Sequence, residues 1–66
     1  MTIILNGAPH ELPSDTTVAA LLAALDRREP ALAVAVNLRV VPRNEFDLRV
    51  LRDGDRVDIV TAVGGG

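Results

Sequence analysis

Apolar and polar residues alternate at the start of this chain, take up a helical spacing in its middle, and alternate again towards its end. Thr2-Ile3-Ile4-Leu5-Asn6 is a β-branched and aliphatic run ending on Asn6-Gly7, a pair suited to the two-residue turn of a β-hairpin. Ala8 to Leu12 reads as the returning strand, and Pro9, which has no N–H to give to a ladder, places it at a sheet edge. Pro13-Ser14-Asp15-Thr16 then breaks the strand and starts a helix. Asp15 or Thr16 is the expected cap, with the Asp15 charge placed to meet the positive end of the helix dipole. Val18, Leu21, Leu22 and Leu25 follow at i, i+3, i+4 and i+7, which is one helical face. Asp26-Arg27-Arg28-Glu29 is expected to run out into solvent, and Pro30 to stop the helix.

Ala33 to Asn37 reads as a short apolar strand, and Leu38 to Val41 as a second extended piece after a turn at Asn37. Pro42 to Phe46 suits a single helical turn, with proline presetting φ at its start and Phe46 pointing back to the core. Arg52-Asp53-Gly54-Asp55 is a tight turn in which Gly54 supplies positive φ. Arg56 to Val63 is the final strand. The predicted fold class is α+β: one main helix and one short helical turn packed on a mixed sheet of four to five strands. Hairpin, crossover helix and returning strands together suggest the β-grasp, or ubiquitin-like, arrangement. The first and last strands would then be central neighbours, with the chain end projecting from the sheet. Residues 1–63 form the expected domain and residues 64–66 a flexible glycine tail.

Composition narrows the functional classes. Sixty-six residues allow one small domain, 48% of them hydrophobic, with Phe46 as the single aromatic and no cysteine. The net charge of −2 and the interspersed signs argue against nucleic acid, whose binders present a basic face and stacking aromatics. No apolar run approaches a membrane span, so the expected setting is soluble and cytoplasmic. All seven basic residues are arginine. That is either a compositional bias or, if the chain carries an activated acyl end, protection from amine nucleophiles.

Little here supports self-contained catalysis. His10 lies in a hairpin strand without metal-ligating company, Ser14 serves a helix start, and Asp53 and Asp55 flank a turn glycine. The glycines at the end are no phosphate loop, because no helix follows them. What is left is the ending itself, Val63-Gly64-Gly65-Gly66. Either it is a loose terminus, or it is a thin tail that threads into another enzyme's active site and presents its α-carboxylate. By strand alternation Val57 and Ile59 face the helix, while Arg56, Asp58, Val60 and Ala62 face away. Ile4 faces the same way from the first strand, so Ile4, Val60 and Ala62 are expected to form a small exposed apolar patch for docking.

The ordered set Ile3-Ile4-Leu5-Asn6-Gly7, Thr17-Val18 with Leu21-Leu22, Ala35-Val36-Asn37, Val41-Pro42-Arg43, Asp53-Gly54-Asp55 and Val63-Gly64-Gly65-Gly66 resembles the ThiS family. These are the ubiquitin-like sulfur carriers of thiamine biosynthesis, and Phe46 stands where relatives often place Trp. The resemblance implies a protein co-substrate, not an enzyme. An adenylyltransferase partner (ThiF or a related E1-like enzyme) would use its own ATP and magnesium to convert the Gly66 carboxylate to an acyl-adenylate. Sulfur from a persulfide, such as that of a cysteine desulfurase, would then leave a thiocarboxylate for delivery to thiazole synthase, ThiG. Gly65 and Gly64 would give the tail its reach, and Ile4, Val60 and Ala62 would dock the body. No cofactor is expected on the chain itself. Two alternatives share the tail or the fold: another thiocarboxylate carrier, such as the small subunit of molybdopterin synthase, and a β-grasp interaction domain with inert glycines.

Overall fold

A computed structural model, which describes residues 1–61, shows the element order expected from the sequence. Strands β1 (Thr2–Leu5) and β2 (Ala8–Glu11) form a hairpin, and helix α1 (Val18–Ala24) crosses over to β3 (Leu32–Val36). Strand β4 (Arg39–Val41) returns beside β3, a 3₁₀ turn spans Arg43–Glu45, and β5 (Arg56–Thr61) is the last strand. The sheet order is β2-β1-β5-β3-β4. β5 runs parallel to β1 and antiparallel to β3, and both hairpins are antiparallel. This is the β-grasp arrangement, with the first and last strands side by side. The boundary expected between residues 63 and 64 lies outside the described residues.

Alternation decides which side chains enter the core. Ile3 on β1, Val34 and Val36 on β3, and Val57 and Ile59 on β5 turn to one face of the sheet, where Val18, Leu21 and Leu22 of α1 join them. A fully buried aliphatic side chain of this size contributes about 1.5–3 kcal/mol. Leu51 is also fully buried, and Phe46 packs against the cluster from the end of the 3₁₀ turn. The opposite face of the sheet carries Ile4, Arg56, Asp58 and Val60, as the two-residue period requires.

Both hairpins close through two left-handed residues. Asn6 and Gly7 have φ of 48° and 86°, and Asn37 and Leu38 have φ of 52° and 70°. Positive φ at both central positions is the turn whose twist matches its flanking strands. Leu38 therefore holds a conformation that usually goes to glycine or asparagine, and it is 72% exposed. The first hairpin follows its Asn-Gly signal. In the second, Asn37 and Leu38 belong to the turn and not to the extended segments, so β3 begins at Leu32 and ends at Val36.

Two helix boundaries differ from the sequence reading. The cap is Thr17, not Asp15 or Thr16: its backbone is extended and its Oγ1 accepts from Ala20 N at 3.1 Å. Tertiary pairing moves the start. Thr17 bridges Val50, and the neighbouring N–H groups of Val18 and Ala19 donate to the carbonyls of Arg49 and Phe46 at 3.0 Å each. Asp15 sits outside the helix at φ 64°. At the other end the helix stops well before Pro30. Asp26 takes φ 54° and donates to Ala23 O at 3.1 Å, while Arg27 N donates to Leu22 O at 2.9 Å. Those two bonds make a Schellman motif with aspartate in the place glycine usually takes. The run Asp26 to Glu29 is thus a loop folded back on the domain.

Candidate functional site

Strand β5 is the last described element before the glycine ending, so the contacts that fix β5 define the described part of the candidate site. Both flanks of the strand are held by the turn asparagines. From the β1 side, Asn6 N donates to Val57 O at 2.9 Å, and Asn6 Oδ1 accepts from Ile59 N at 2.8 Å. From the β3 side, Asn37 N donates to Arg56 O at 2.7 Å, and Asn37 Oδ1 accepts from Arg56 N at 2.9 Å. The left-handed backbone at each asparagine turns its side chain back along the neighbouring strand. The Asn-Gly signal announced the first turn, but nothing local announces that either side chain continues a ladder.

The turn before β5 is held by carboxylates. Asp55, 9% exposed, accepts from Arg52 N at 2.8 Å and from Asn37 Nδ2 at 3.0 Å. Asp53 Oδ1 accepts from Thr2 N at 2.8 Å, and Gly54, at φ 85°, donates to Thr2 O at 2.8 Å. Asp53 and Asp55 are therefore spent on the turn, and no group of three His, Cys, Asp or Glu side chains gathers among the described residues. His10 stands opposite Ile3 on the edge strand.

The face turned away from α1 is built differently from the expected patch. Ile4 and Val60 do share it, and are 37% and 60% exposed. However, the parallel register pairs Ile4 with Arg56, four residues before Val60. At about 3.3 Å per residue that offset is about 13 Å along the strand. Between the two sits the Arg56–Asp58 ion pair, at 3.0 Å. Val60's own neighbours lie on the other side: it pairs with Ala33, while Ala35 pairs with Asp58 on β5 and Val40 on β4. Val60, Ala33, Ala35 and Val40 form an apolar strip over three strands, with Val40 73% exposed. Ile4 is left beside Pro9 on the far side of the ion pair. The alternation of Ala33, Val34, Ala35 and Val36 was the available signal for the strip, but the strand order was needed to read it. Ala62, Gly64, Gly65 and Gly66 lie outside the described residues.

At the far end of β5 the sequence reading missed a second feature. Arg27 Nε lies 2.7 Å from Glu29 Oε1, and Arg27 Nη2 donates to Thr61 Oγ1 at 2.9 Å. Glu29's carboxyl is held below the usual carboxylate range by its own backbone N–H and then by the Arg27 bond. Arg43 Nη2 binds the same loop from the other side, donating to Pro30 O at 2.7 Å and Leu32 O at 3.1 Å. On the sheet side, a depression of about 170 Å³ between β4 and the 3₁₀ turn is walled by Val36, Val41 and Pro42 and edged by Arg39, Glu45 and Arg49. None of these arrangements pairs a nucleophile with a base. They present a strand end and an apolar strip.

Comparison with known proteins places this geometry. Residues 3–66 match the model of the ThiS family. The chain is 32% identical to the sulfur carrier protein ThiS of Escherichia coli, over the whole of both chains. It is 35% identical over its whole length to a thiazole synthase of Paramagnetospirillum magneticum, but spans only 20% of that protein. The crystal structure of the thiamine biosynthesis protein ThiS from Geobacter metallireducens superposes with a TM-score of 0.88 at 32% identity, covering all of both chains.

Proposed function

The chain belongs to the ThiS family, and from that membership we propose that it is a sulfur carrier of thiamine biosynthesis, a protein co-substrate whose reacting group is the C-terminal carboxylate of Gly66. The observation that carries the proposal is the extent of the match. It runs from the first strand through Gly66, so the glycine ending falls within the matched residues, which supports the reading.

The chemistry follows from what a carboxylate lacks. Its resonance makes it a poor electrophile, so the Gly66 carboxylate oxygen must first attack the α-phosphorus of ATP, releasing pyrophosphate and giving an acyl-adenylate. An adenylyltransferase of the ThiF or E1-like type supplies the ATP and magnesium. The terminal sulfur of a donor persulfide, such as that of a cysteine desulfurase, then attacks the acyl carbon and AMP leaves. A thiol cleaves the resulting acyl disulfide, and the carrier keeps a thiocarboxylate. This chain contributes a tail without side chains, in Gly64, Gly65 and Gly66, and a body that docks so the tail enters the partner. Val60 with Ala33, Ala35 and Val40 is the docking strip, Ala62, outside the described residues, is assigned to the same docking face by the alternation of the sequence, and Ile4 marks the far limit of that face.

Thiazole synthase is the proposed acceptor of the sulfur. Support comes from the relative in which a segment similar to this whole chain makes up a fifth of a protein of that name. A carrier and its acceptor joined in one chain meet at high effective concentration, an advantage only if they work together. The test is intact-mass measurement after incubation with ATP, magnesium, a persulfide donor and the adenylyltransferase. A gain equal to one oxygen-to-sulfur exchange, mapped to the C-terminal peptide, is expected. No gain with a partner that loads another carrier refutes the proposal, and deleting Gly66 is expected to abolish loading while leaving the fold intact.

A further inference from the structure

A charged run after a helix is ordinarily a solvated face, and Arg27 would be dispensable there. The Schellman turn at Asp26 instead redirects the chain, and the guanidinium of Arg27 reaches across to the end of β5. Glu29 Oε1 sits 2.7 Å from Nε and holds the planar fork, which leaves Nη2 aimed at Thr61 Oγ1 at 2.9 Å. Leu32 N donates to Glu29 O at 3.2 Å, and Leu32 is also the cross-strand partner of Thr61. Loop and strand end therefore meet at one point.

Position makes this contact matter. Thr61 follows Val60 of the docking strip directly, and Gly66 is the fifth residue after it. Fully extended, five residues reach at most about 18 Å. Strand ends fray unless something ties them down. We propose that Arg27, oriented by Glu29, is a positioning residue for sulfur loading: by holding the Thr61 hydroxyl it fixes the placement of Val60 and Thr61, the last described residues before the glycine ending. This rests on the sulfur-carrier reading. If the tie were lost and Val60 and Thr61 frayed, seven residues instead of five would follow the last position held by a described contact. Effective concentration falls roughly as the −3/2 power of length, so slack alone costs less than about twofold. The larger loss is the fixed placement of Val60, which carries the factor of one net hydrogen bond, about 2- to 12-fold in KM.

The experiment compares Arg27→Gln, Thr61→Val, the double variant and Thr61→Ser. Backbone order parameters of Val60 and Thr61 are read by ¹⁵N relaxation, and KM and kcat for the carrier by ATP-dependent pyrophosphate release with the adenylyltransferase. Expected are order parameters dropping from about 0.85 towards 0.6 in either single variant. KM should rise 2- to 12-fold with kcat within about twofold, the double variant should be no worse than either single, and Thr61→Ser should recover most of the loss. A half-exposed ion pair adds little to global stability, so the denaturation midpoint should barely move. A fall in midpoint with unchanged KM would assign Arg27 a purely structural role and overturn the proposal. So would single-variant effects that multiply in the double. If the wild-type protein is never adenylated, the carrier reading fails, and unchanged order parameters would separately refute the tie.

Discussion

Replacing Asn6 by glycine isolates the clamp on β5. Glycine tolerates the φ of 48° at this position, so the turn is preserved and the side-chain acceptor is what disappears. The orphaned group is the N–H of Ile59, a residue 5% exposed in a central strand, 2.8 Å from Asn6 Oδ1 in the intact protein. Leaving a buried donor unsatisfied costs about 1–3 kcal/mol. The extra freedom that glycine gives the unfolded chain adds about 0.4–1 kcal/mol. The expected loss is therefore about 1.4–4 kcal/mol, a large fraction of the stability of a domain this small. Two companions separate the causes. Asn6→Asp keeps an acceptor and tolerates the left-handed backbone, so most of the loss should be recovered. Asn37→Gly frees Arg56 N, which is exposed and turns to water, but it also takes the Nδ2 donor from the buried Asp55 carboxylate, so its cost should be comparable and should come from Asp55. Urea unfolding followed by far-UV circular dichroism measures all three, with m-values checked for constancy. A loss below about 0.5 kcal/mol for Asn6→Gly would show that the Asn6 side chain is not what holds β5. So would an Asn6→Asp variant as unstable as the glycine one.

Three further outcomes follow from the same structure. Leu38→Asn should raise stability by about 0.5–1 kcal/mol, because asparagine tolerates positive φ and the leucine is largely exposed; a fall in the unfolding midpoint would refute strain at this turn. Glu29 has a folded-state pKa below its ordinary 4.5, so its contribution is complete above that value and is lost as pH falls below it; Glu29→Gln should flatten the stability profile in that acidic window, and an unchanged slope would sink the assignment. Val60→Asp should weaken adenylyltransferase binding at least about tenfold by titration calorimetry without unfolding the protein, and Ile4→Asp should do so less, since it lies about 13 Å away along the sheet. Equal effects would return Ile4 to the docking strip, and no effect from either would place docking on another surface.

Much of the fold was legible in the order of residues because its signals are local. The Asn6-Gly7 pair demands a hairpin, the spacing of Val18, Leu21, Leu22 and Leu25 demands a helix, and the alternation through Val57 and Ile59 assigns the core face of β5. The glycine ending and the ordered family motifs were equally plain in the sequence. Contacts between residues far apart in sequence were not legible. Thr17 became the cap because it pairs with Val50, and Asp26 ended the helix without the glycine that usually marks such a stop. Ile4 and Val60 were correctly given one face, yet their separation depends on a parallel register that no local pattern encodes. Ala33, Ala35 and Val40 became neighbours of Val60 only through the strand order. Arg27 reads as solvated in its own segment and finds Thr61 thirty-four positions later. The sequence by itself determined the elements, their apolar faces and the family, since these depend on neighbours along the chain. Tertiary structure alone decided register, the apolar strip around Val60 and the Arg27–Thr61 bond, since each depends on which strands and loops lie side by side.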